Sequence, residues 1–585
     1  MKSVPGAFET SGYMHMTDTH TDAHGGALVN LMVDEDRAGL LKEIAMNLPD
    51  VSLSERNMCD LEVLATGGFS PLQGFMVSSD YESVLDRMRL QNGLLWPVPI
   101  CLDVPAARAE TLEAGQSAAL RDPEGFLLGV IHIEDMWPVD REKEAGHVFG
   151  TKDTSHPGVD YLFNKSGDYY IGGTIEVVSL PIHFDFKQMR LYPADVRQAY
   201  EKLGWQRVVG FQTRNPIHRP QFEMTIKAMR QSRANLLIMP VVGMTRPGDF
   251  DHFIRVRCCR HVAEHYPSDT QVTTLLPLAM RLSGPRDALL DTIIAKNYGC
   301  THFIVGHDHA SPGKDRNGSS FYPTERSREV AAEFSAEIGV EIVPFEEMVY
   351  LPFEDEYRSK DQVPGGAETI SLSGSDIRRR IREGRKIPEW ATFPEVVEEL
   401  QRAYPPPERQ GFTVFLTGLS GAGKSTIAKV MYSKFLERGD RPVTLLDGDI
   451  VRRNLSSELT FSKEHRNINV LRIGFVASEI TKNRGVAICA PIAPYEVTRR
   501  EIRRTIESYG GFIEVHVNTP IDECEKRDRK GMYAKARAGL ISGFTGVDDP
   551  YEAPADPELR IDTTNLTPAE AAQEILLFLS NKGYI

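Results

Sequence analysis

Several stretches of this 585-residue chain combine residue types and spacings suited to holding and transferring oxyanions. The sharpest is GLSGAGKST, residues 418–426, which matches the phosphate-loop pattern of Gly, four residues, Gly, Lys, then Ser or Thr. Gly418, Gly421 and Gly423 let the backbone wrap phosphates. The helical pattern that opens at Lys424 offers free N–H groups and a positive dipole end. Lys424 is then expected to reach the β- and γ-phosphates of ATP, Ser425 to hold Mg²⁺, and Thr426 to complete the turn. A loop kept only as a relic of the fold would tolerate damage, yet every position of the pattern is intact.

A second stretch, Gln212-Thr213-Arg214-Asn215-Pro216-Ile217-His218, lies where a predicted strand ends and a helix begins. It gathers a guanidinium, an imidazole and amide donors around one point, which suits sulfate or an α-phosphate. Gly284–Leu289, with Arg286 and Asp287, and Thr301–Ala310, with Gly306, His307, Asp308 and His309, form a further constellation, joined by Val343–Phe345 and Ser373–Arg378. After the phosphate loop comes LDGDIVR (446–452), at a strand end, where α/β sheets place their ligands. Phe461, Arg466, Asn469, the run Pro491-Ile492-Ala493-Pro494-Tyr495, RDRKGMY (527–533) and GFTG (543–546) complete the series.

The elements that must position these groups are legible as pattern. Residues 27–190 mix short strands with turns, and LLWPVPICLDV (94–104) reads as a buried strand. From 191 onward strands alternate with helices: WQRVVGF, NLLIMPVVG, THFIVG and EIVPF as strands, HRPQFEMTIKAMRQ and PRDALLDTIIAKNYG as helices. That alternation predicts a parallel sheet with helices on both faces. The triple proline in AYPPPERQG predicts an extended linker over 403–410. A second α/β unit follows, with FTVFLTG, PVTLLD, GVAICAPIA, FIEVHVN and LRIDTT as strands.

Composition excludes several classes. The formal charge of −15 argues against a nucleic-acid partner, which needs a basic footprint. The run Arg378–Arg382, flanked by Asp376 and Glu383, reads as a solvated helix face. No apolar stretch is long enough for a membrane span, and the first residues lack the apolar core of a signal peptide. Seven scattered cysteines without CxxC point to a reducing compartment, hence a soluble cytoplasmic protein. The His-rich first 26 residues, with His15, His20 and His24, read as a disordered tail.

The 411–585 series resembles APS kinase, which phosphorylates adenosine 5′-phosphosulfate (APS). The resemblance implies that Asp449 orients or deprotonates the ribose 3′-hydroxyl, with Asp447 near Mg²⁺. Arg452, Arg466 and Asn469 would grip the phosphosulfate and Phe461 and Phe544 would stack on adenine. Ile492 would line the same site, and Lys530 would sit in a lid. Residues 24–400, through His24-Gly25-Gly26, Phe69–Leu72, His156-Pro157-Gly158 and the motifs above, resemble ATP sulfurylase. This implies a PUA-like domain (27–190), a Rossmann-like nucleotidyltransferase domain (191–352) and a C-terminal subdomain (353–402), ahead of the linker and the P-loop kinase domain (411–585). It also implies Arg214 on sulfate, Thr213 and Asn215 as positioning groups, His218 and Gln212 toward ATP, and Gly306–Ala310 with Met348 around adenosine. Both resembled families assemble, so a homo-oligomer is expected, with ATP, sulfate and APS as its small-molecule partners.

Three positions depart from the family patterns. Ala493 stands where some APS kinases carry a phosphorylatable Ser, which leaves direct in-line transfer. Gln221 replaces the second His of HxxH, and His307 replaces the Arg of GRDH; each removes a cationic donor or a potential one. Charged hydrogen bonds are worth roughly 1.5–3 kcal/mol against about 0.5–1.5 for neutral ones, so the sulfurylase step is expected to be weakened unless Gln221 and His307 substitute. The alternatives left open are a kinase-like domain acting as an allosteric regulator, a sulfurylase half kept as a scaffold, and a sulfurylase running toward ATP.

Overall fold

The computed structural model describes residues 22–585, apart from 307, 345, 346, 461, 529 and 530 and the side chains of Ser375, Arg382 and Asp449. Two compact units result. One takes the chain up to Ser371 together with Pro388–Glu399; the other takes Leu372–Ile387 and Leu400–Ile585. The interval 353–402, expected as one subdomain, is therefore divided between them.

The first unit opens with a mixed sheet of β1 (Asp50–Ser52), β2 (Gly74–Phe75), β3 (Leu102–Val104), β4 (Ser117–Arg121), β5 (Leu127–Pro138) and β6 (Tyr169–Val177). Its order is β1-β4-β5-β6-β2, with β3 also on β6, and only β1 and β4 pair in parallel. The strand expected over 94–104 shrinks to β3. Pro97 and Pro99 remove ladder donors there, so the preceding residues stay buried but irregular, with Trp96 Nε1 donating to Val98 O at 2.8 Å. The tail expectation fails for residues 22–26. His24 is 2% exposed, its N–H donates to Asn297 Oδ1 at 2.8 Å, and its Nε2 sits 2.8 Å from Leu95 O. Burial lowers its pKa, so it is a satisfied core histidine.

The second sheet of this unit is β11-β10-β7-β8-β9, all parallel: β7 (Val208–Thr213), β8 (Asn235–Pro240), β9 (Gln271–Thr273), β10 (His302–Val305) and β11 (Glu341–Pro344). Leu236–Met239 and Phe303–Val305 are buried throughout, as expected when helices cover both faces. One hydrophobic cluster runs from Val51 through Trp96 and Ile171 to Phe303 and Val340, so the mixed and parallel sheets share a core. A hairpin of β12 (Met348–Leu351) and β13 (Glu356–Ser359) follows.

The second unit holds β14 (Phe412–Thr417), β15 (Val443–Asp447), β16 (Val486–Ala490), β17 (Gly511–Val517) and β18 (Leu559–Ile561) in a parallel sheet of order β15-β16-β14-β17-β18. The linker expected to be extended over 403–410 holds a packed turn instead: Pro407–Arg409 is a 3₁₀ turn, and Gln410 Nε2 donates to Pro405 O at 2.7 Å. The side chain of Arg441 also holds the turn, donating to Gln410 O at 2.7 Å. The basic run lies on the helix Gly374–Arg382, capped by Ser373 and Asp376; it buries Ile377 and Ile381 and leaves Arg379 in solvent.

Candidate active sites

In the first unit, the loops that leave β7 and β10 are neighbours because those strands pair, so their C-terminal ends deliver residues 212–218, Gly306 and 308–311 to one edge. Arg214 joins them. Its Nη2 donates to Ser311 O at 3.1 Å, while Nη1 meets Asp249 Oδ2, on the loop after β8, at 3.2 Å. Arg246 Nη2 approaches Asp249 Oδ1 at 3.4 Å, so one carboxylate that is 1% exposed serves two guanidiniums. Burial pulls the Arg214 pKa down and the Asp249 charge pushes it back up. An open cleft of about 410 Å³ beside Arg246 is lined by Thr154, Ser155, Gly313 and Lys314.

Around that arginine, Thr213 Oγ1 donates to Asn215 O at 2.8 Å and accepts from Asn215 N at 3.1 Å, which shapes the turn. Gln212 is 8% exposed and its Oε1 has no hydrogen-bond partner among the described residues. Among the described residues a methyl group added at Gly306 would meet nothing nearer than Asp308 Oδ1 at 3.8 Å.

His218 is buried at the N-terminus of the helix Arg219–Ser232, with Nδ1 2.9 Å from Thr392 Oγ1. Gln221, expected to face phosphate, has its Oε1 taken by His218 N at 3.1 Å, the reciprocal bond of a helix cap. His309 is turned toward Asp291, at 2.8 Å from a carboxylate that is 1% exposed, rather than toward open space. Asp308 is exposed, its carbonyl accepting from Ser311 N, and Ala310 is buried with a φ of +54°. Met348 lies on β12, with its sulfur 3.7 Å from Ser359 Oγ. His307 lies outside the described residues.

Arg286 and Asp287 turn out to be structural. Arg286 donates to Val84 O, Leu85 O and Pro97 O, and Asp287 accepts from Leu282 N at 2.6 Å and Ser283 Oγ at 2.8 Å. The residues missed by the sequence reading are Asp249, Arg246, Ser311 and Thr392. Only the turn-forming RPGD (246–249) carried any signal for the first two.

In the second unit, three adjacent strands, β15, β16 and β14, end at one edge and supply Asp447, the 491–495 run and the glycine loop. Gly418, Gly421 and Gly423 have φ of +147°, +77° and +106°. A Cβ at Gly418 would lie 2.4 Å from Val517 O, and one at Gly421 2.8 Å from Cys524 O, so neither position admits a side chain. Lys424, the first residue of the helix Lys424–Arg438, donates to Gly418 O at 2.9 Å and Leu419 O at 2.7 Å. Ser425 and Thr426 are exposed beside it, and Asp447 is 8% exposed at the end of β15.

Asp449 is the second residue of the helix Gly448–Leu455, and its side chain is among those not described. Arg452 donates to Leu459 O and Thr460 O at 3.3 and 3.2 Å. Arg466 and Asn469 lie one turn apart on the helix Lys463–Lys482; both are largely buried, and Arg466 Nε and Asn469 Oδ1 have no hydrogen-bond partner among the described residues. An unmet donor and an unmet acceptor so placed suit a polar ligand. Ile492 O and Ala493 O both accept from Thr417 Oγ1, at 2.7 and 3.3 Å. Ala493 is buried with a φ of +46°. Phe544 packs edge-on against Tyr533 at 5.0 Å. Phe461 and Lys530 lie outside the described residues.

Among the described residues no cluster of three or more His, Cys, Asp or Glu is placed to hold a metal, and no helix is long and apolar enough to cross a membrane.

Family models match the chain in three consecutive stretches: a PUA-like domain over 21–180, ATP-sulfurylase over 187–403 and adenylylsulphate kinase over 410–562. The sulfate adenylyltransferase of Phaeosphaeria nodorum is 47% identical over 566 residues, covering 96% of this chain and 99% of the relative. That of Mycosarcoma maydis is 48% identical over 569 residues, with coverage of 96% and 99%. Among solved structures, a hexameric APS kinase from Thiobacillus denitrificans superposes with a TM-score of 0.80 at 40% identity, covering 97% of this chain and 100% of that one. The chain belongs to the sulfate adenylyltransferase family, in the form that joins PUA-like, ATP-sulfurylase and adenylylsulphate kinase domains in one polypeptide.

Proposed function

We propose that the chain activates sulfate in two steps, ATP + sulfate giving APS + pyrophosphate in the first unit, and ATP + APS giving ADP + 3′-phospho-APS (PAPS) in the second. The observation that carries the reading is the undamaged glycine loop, with Lys424 held at its rim, at the same sheet edge as Asp447 and the 491–495 run. Phosphoryl transfer needs positioning and charge neutralisation more than covalent chemistry. The loop N–H groups and the start of the helix Lys424–Arg438 hold the phosphates of ATP. Lys424 exchanges its loop carbonyls for phosphate oxygens when nucleotide binds. Arg452, Arg466 and Asn469 receive the phosphosulfate of APS, and Asp449 takes the 3′-hydroxyl proton. The Ser425 hydroxyl and the Asp447 carboxylate are hard oxygen donors that fit Mg²⁺, which keeps several waters and needs no cage of protein ligands. When bound, the ion neutralises charge developing on the transferred group.

In the first unit sulfate is already an anion, so no general base is required. Arg214 neutralises charge as sulfate meets the α-phosphorus, with Thr213 and Asn215 setting the turn and His218 toward the phosphates. The commitment of the Gln221 oxygen to its helix cap supports a slow sulfurylase step, since that side chain stands in for a cationic His. The deciding experiment assays each half-reaction separately on the purified chain. Both turnovers are expected, the kinase faster; failure to convert APS and ATP to PAPS would overturn the reading. A homo-oligomer in the cytoplasm is part of the proposal, and sedimentation showing only a 65.4 kDa species at micromolar concentration would refute the assembly.

A further inference from the structure

The acid paired with Arg466 in the second unit is Asp549, which none of the motifs singles out. Its carboxylate accepts from Tyr495 Oη at 2.9 and 3.1 Å and pairs with Arg466 Nη2 at 3.0 Å. Arg466 also donates to Tyr495 Oη at 3.1 Å, and its Nη1 donates to Thr545 Oγ1 at 2.7 Å. The arginine and acid side chains are 12% and 14% exposed, so the pair is largely withdrawn from water. Burial and the bond to Asp549 raise the Tyr495 pKa to about 12, which keeps its hydroxyl a donor at neutral pH.

The backbone of Asp549 belongs to the turn that carries Phe544. Asp549 N donates to Phe544 O at 3.2 Å and Asp549 O accepts from Gly546 N at 2.7 Å. Asp548 fixes the other side of the turn by accepting from the N–H groups of Gly543 and Phe544. One residue therefore ties together the helix of Arg466, the run ending at Tyr495 and the turn of Phe544. Surface ion pairs contribute little, but a withdrawn pair that shares further hydrogen bonds fixes geometry.

We propose that Asp549 is a positioning residue for APS: it holds the anion-binding Arg466 and the Phe544 turn as one unit, so that the phosphosulfate end and the adenine end of the ligand are gripped in register. The inference rests on the reading of Arg466 as an APS ligand. It assigns no direct contact with the ligand to Asp549 itself.

The test is a steady-state kinase assay on the full chain, with KM for APS, KM for ATP and kcat measured separately. Asp549→Asn, which keeps an acceptor for Tyr495 but loses the charge facing Arg466, is expected to raise KM for APS about tenfold and leave KM for ATP within about twofold. Asp549→Glu is expected to recover part of the loss. In an Arg466→Ala background, Asp549→Asn is expected to add little, because both changes remove one coupled arrangement. Equal rises in both KM values would mean a merely structural role. A fall in KM for APS would mean that the carboxylate competes with the substrate anion; either result overturns the proposal. If Arg466→Ala leaves KM for APS unchanged, the site reading itself is wrong. If Arg466→Ala raises it and Asp549→Asn does not, only this inference falls. Should Asp549→Asn lower the melting temperature, Tyr495→Phe and Thr545→Val loosen the same turn from either side. A selective rise in KM for APS in those variants supports the proposal, and no rise refutes it.

Discussion

The two candidate sites are built on the same scaffold, the C-terminal edge of a five-stranded parallel sheet, but they offer a ligand different groups. In the kinase unit the edge proposed to take ATP is largely backbone: three glycines at positive φ and a helix N-terminus. In the sulfurylase unit the same edge carries side chains held by other side chains, with Arg214 shared between Asp249 and Ser311 O and His218 against Thr392, while His309 is turned away toward Asp291. A backbone cradle survives as long as its glycines do. A side-chain grip depends on every neighbour that aims it, and can be weakened by a single substitution such as that at Gln221.

The largest break in that comparison is Lys424→Ala. It is expected to lower PAPS formation by about 10³-fold or more while sulfurylase turnover stays nearly unchanged, measured as the two separate half-reactions. Retained kinase activity would sink the assignment, and would favour a regulatory role for the second unit.

Arg214→Ala is the mirror image, with an expected loss of about 10²–10³ in sulfurylase kcat/KM and none in the kinase. Asp249→Asn should lose part of the same amount, because the arginine keeps Ser311 but loses its ionic anchor. A wild-type rate in Asp249→Asn would show that Arg214 needs no such anchor.

Gln221→His combined with His307→Arg sharpens the comparison from the weak side. A gain of at least about tenfold in sulfurylase kcat/KM is expected, roughly 1.4 kcal/mol. Gln221→His alone also disturbs the helix cap at His218 N, at roughly 1 kcal/mol, so a small fall in melting temperature should accompany it. If the unaltered chain already turns over ATP and sulfate at about 10 s⁻¹, the weakened reading is wrong.

A further expectation concerns not rate but the acid stability of the second unit. His516 lies on β17, is 5% exposed and stacks on Tyr551; burial, then the charges of Arg560 and Arg499, lower its pKa to about 4. The unfolded chain binds this proton near pH 6.5 and the folded chain only near pH 4. The stability it contributes is therefore present above pH 6.5 and is lost as pH falls toward 4. Between pH 7 and pH 5 the loss is about 2 kcal/mol, or roughly 4–8 °C in the melting of a domain this size. His516→Phe keeps the stack, and calorimetry should show a flatter pH dependence; an unchanged slope would assign the acid sensitivity elsewhere.

The elements were legible wherever local pattern sufficed. The strands at 208–213, 235–240 and 412–417 and the helices after them follow from apolar runs alternating with helical periodicity, and the glycine loop announced its own geometry. The 94–104 strand failed because two prolines removed the donors that pairing requires. The tail reading failed at residue 24 because a partner 273 positions away, Asn297, makes burial of His24 favourable. The Arg286-Asp287 motif reads as chemistry in one dimension and is cement in three.

By itself the sequence determined the P-loop, the one parallel α/β sheet in each unit and the identity of the side chains at each strand end, because propensity, periodicity and glycine content act over a few residues. Tertiary structure alone decided which groups face one another: Asp249 on Arg214, Thr392 on His218, and Asp549 on Arg466 across 83 positions. Charge pairing and burial act through space between residues that the chain keeps far apart, and no local spacing encodes them.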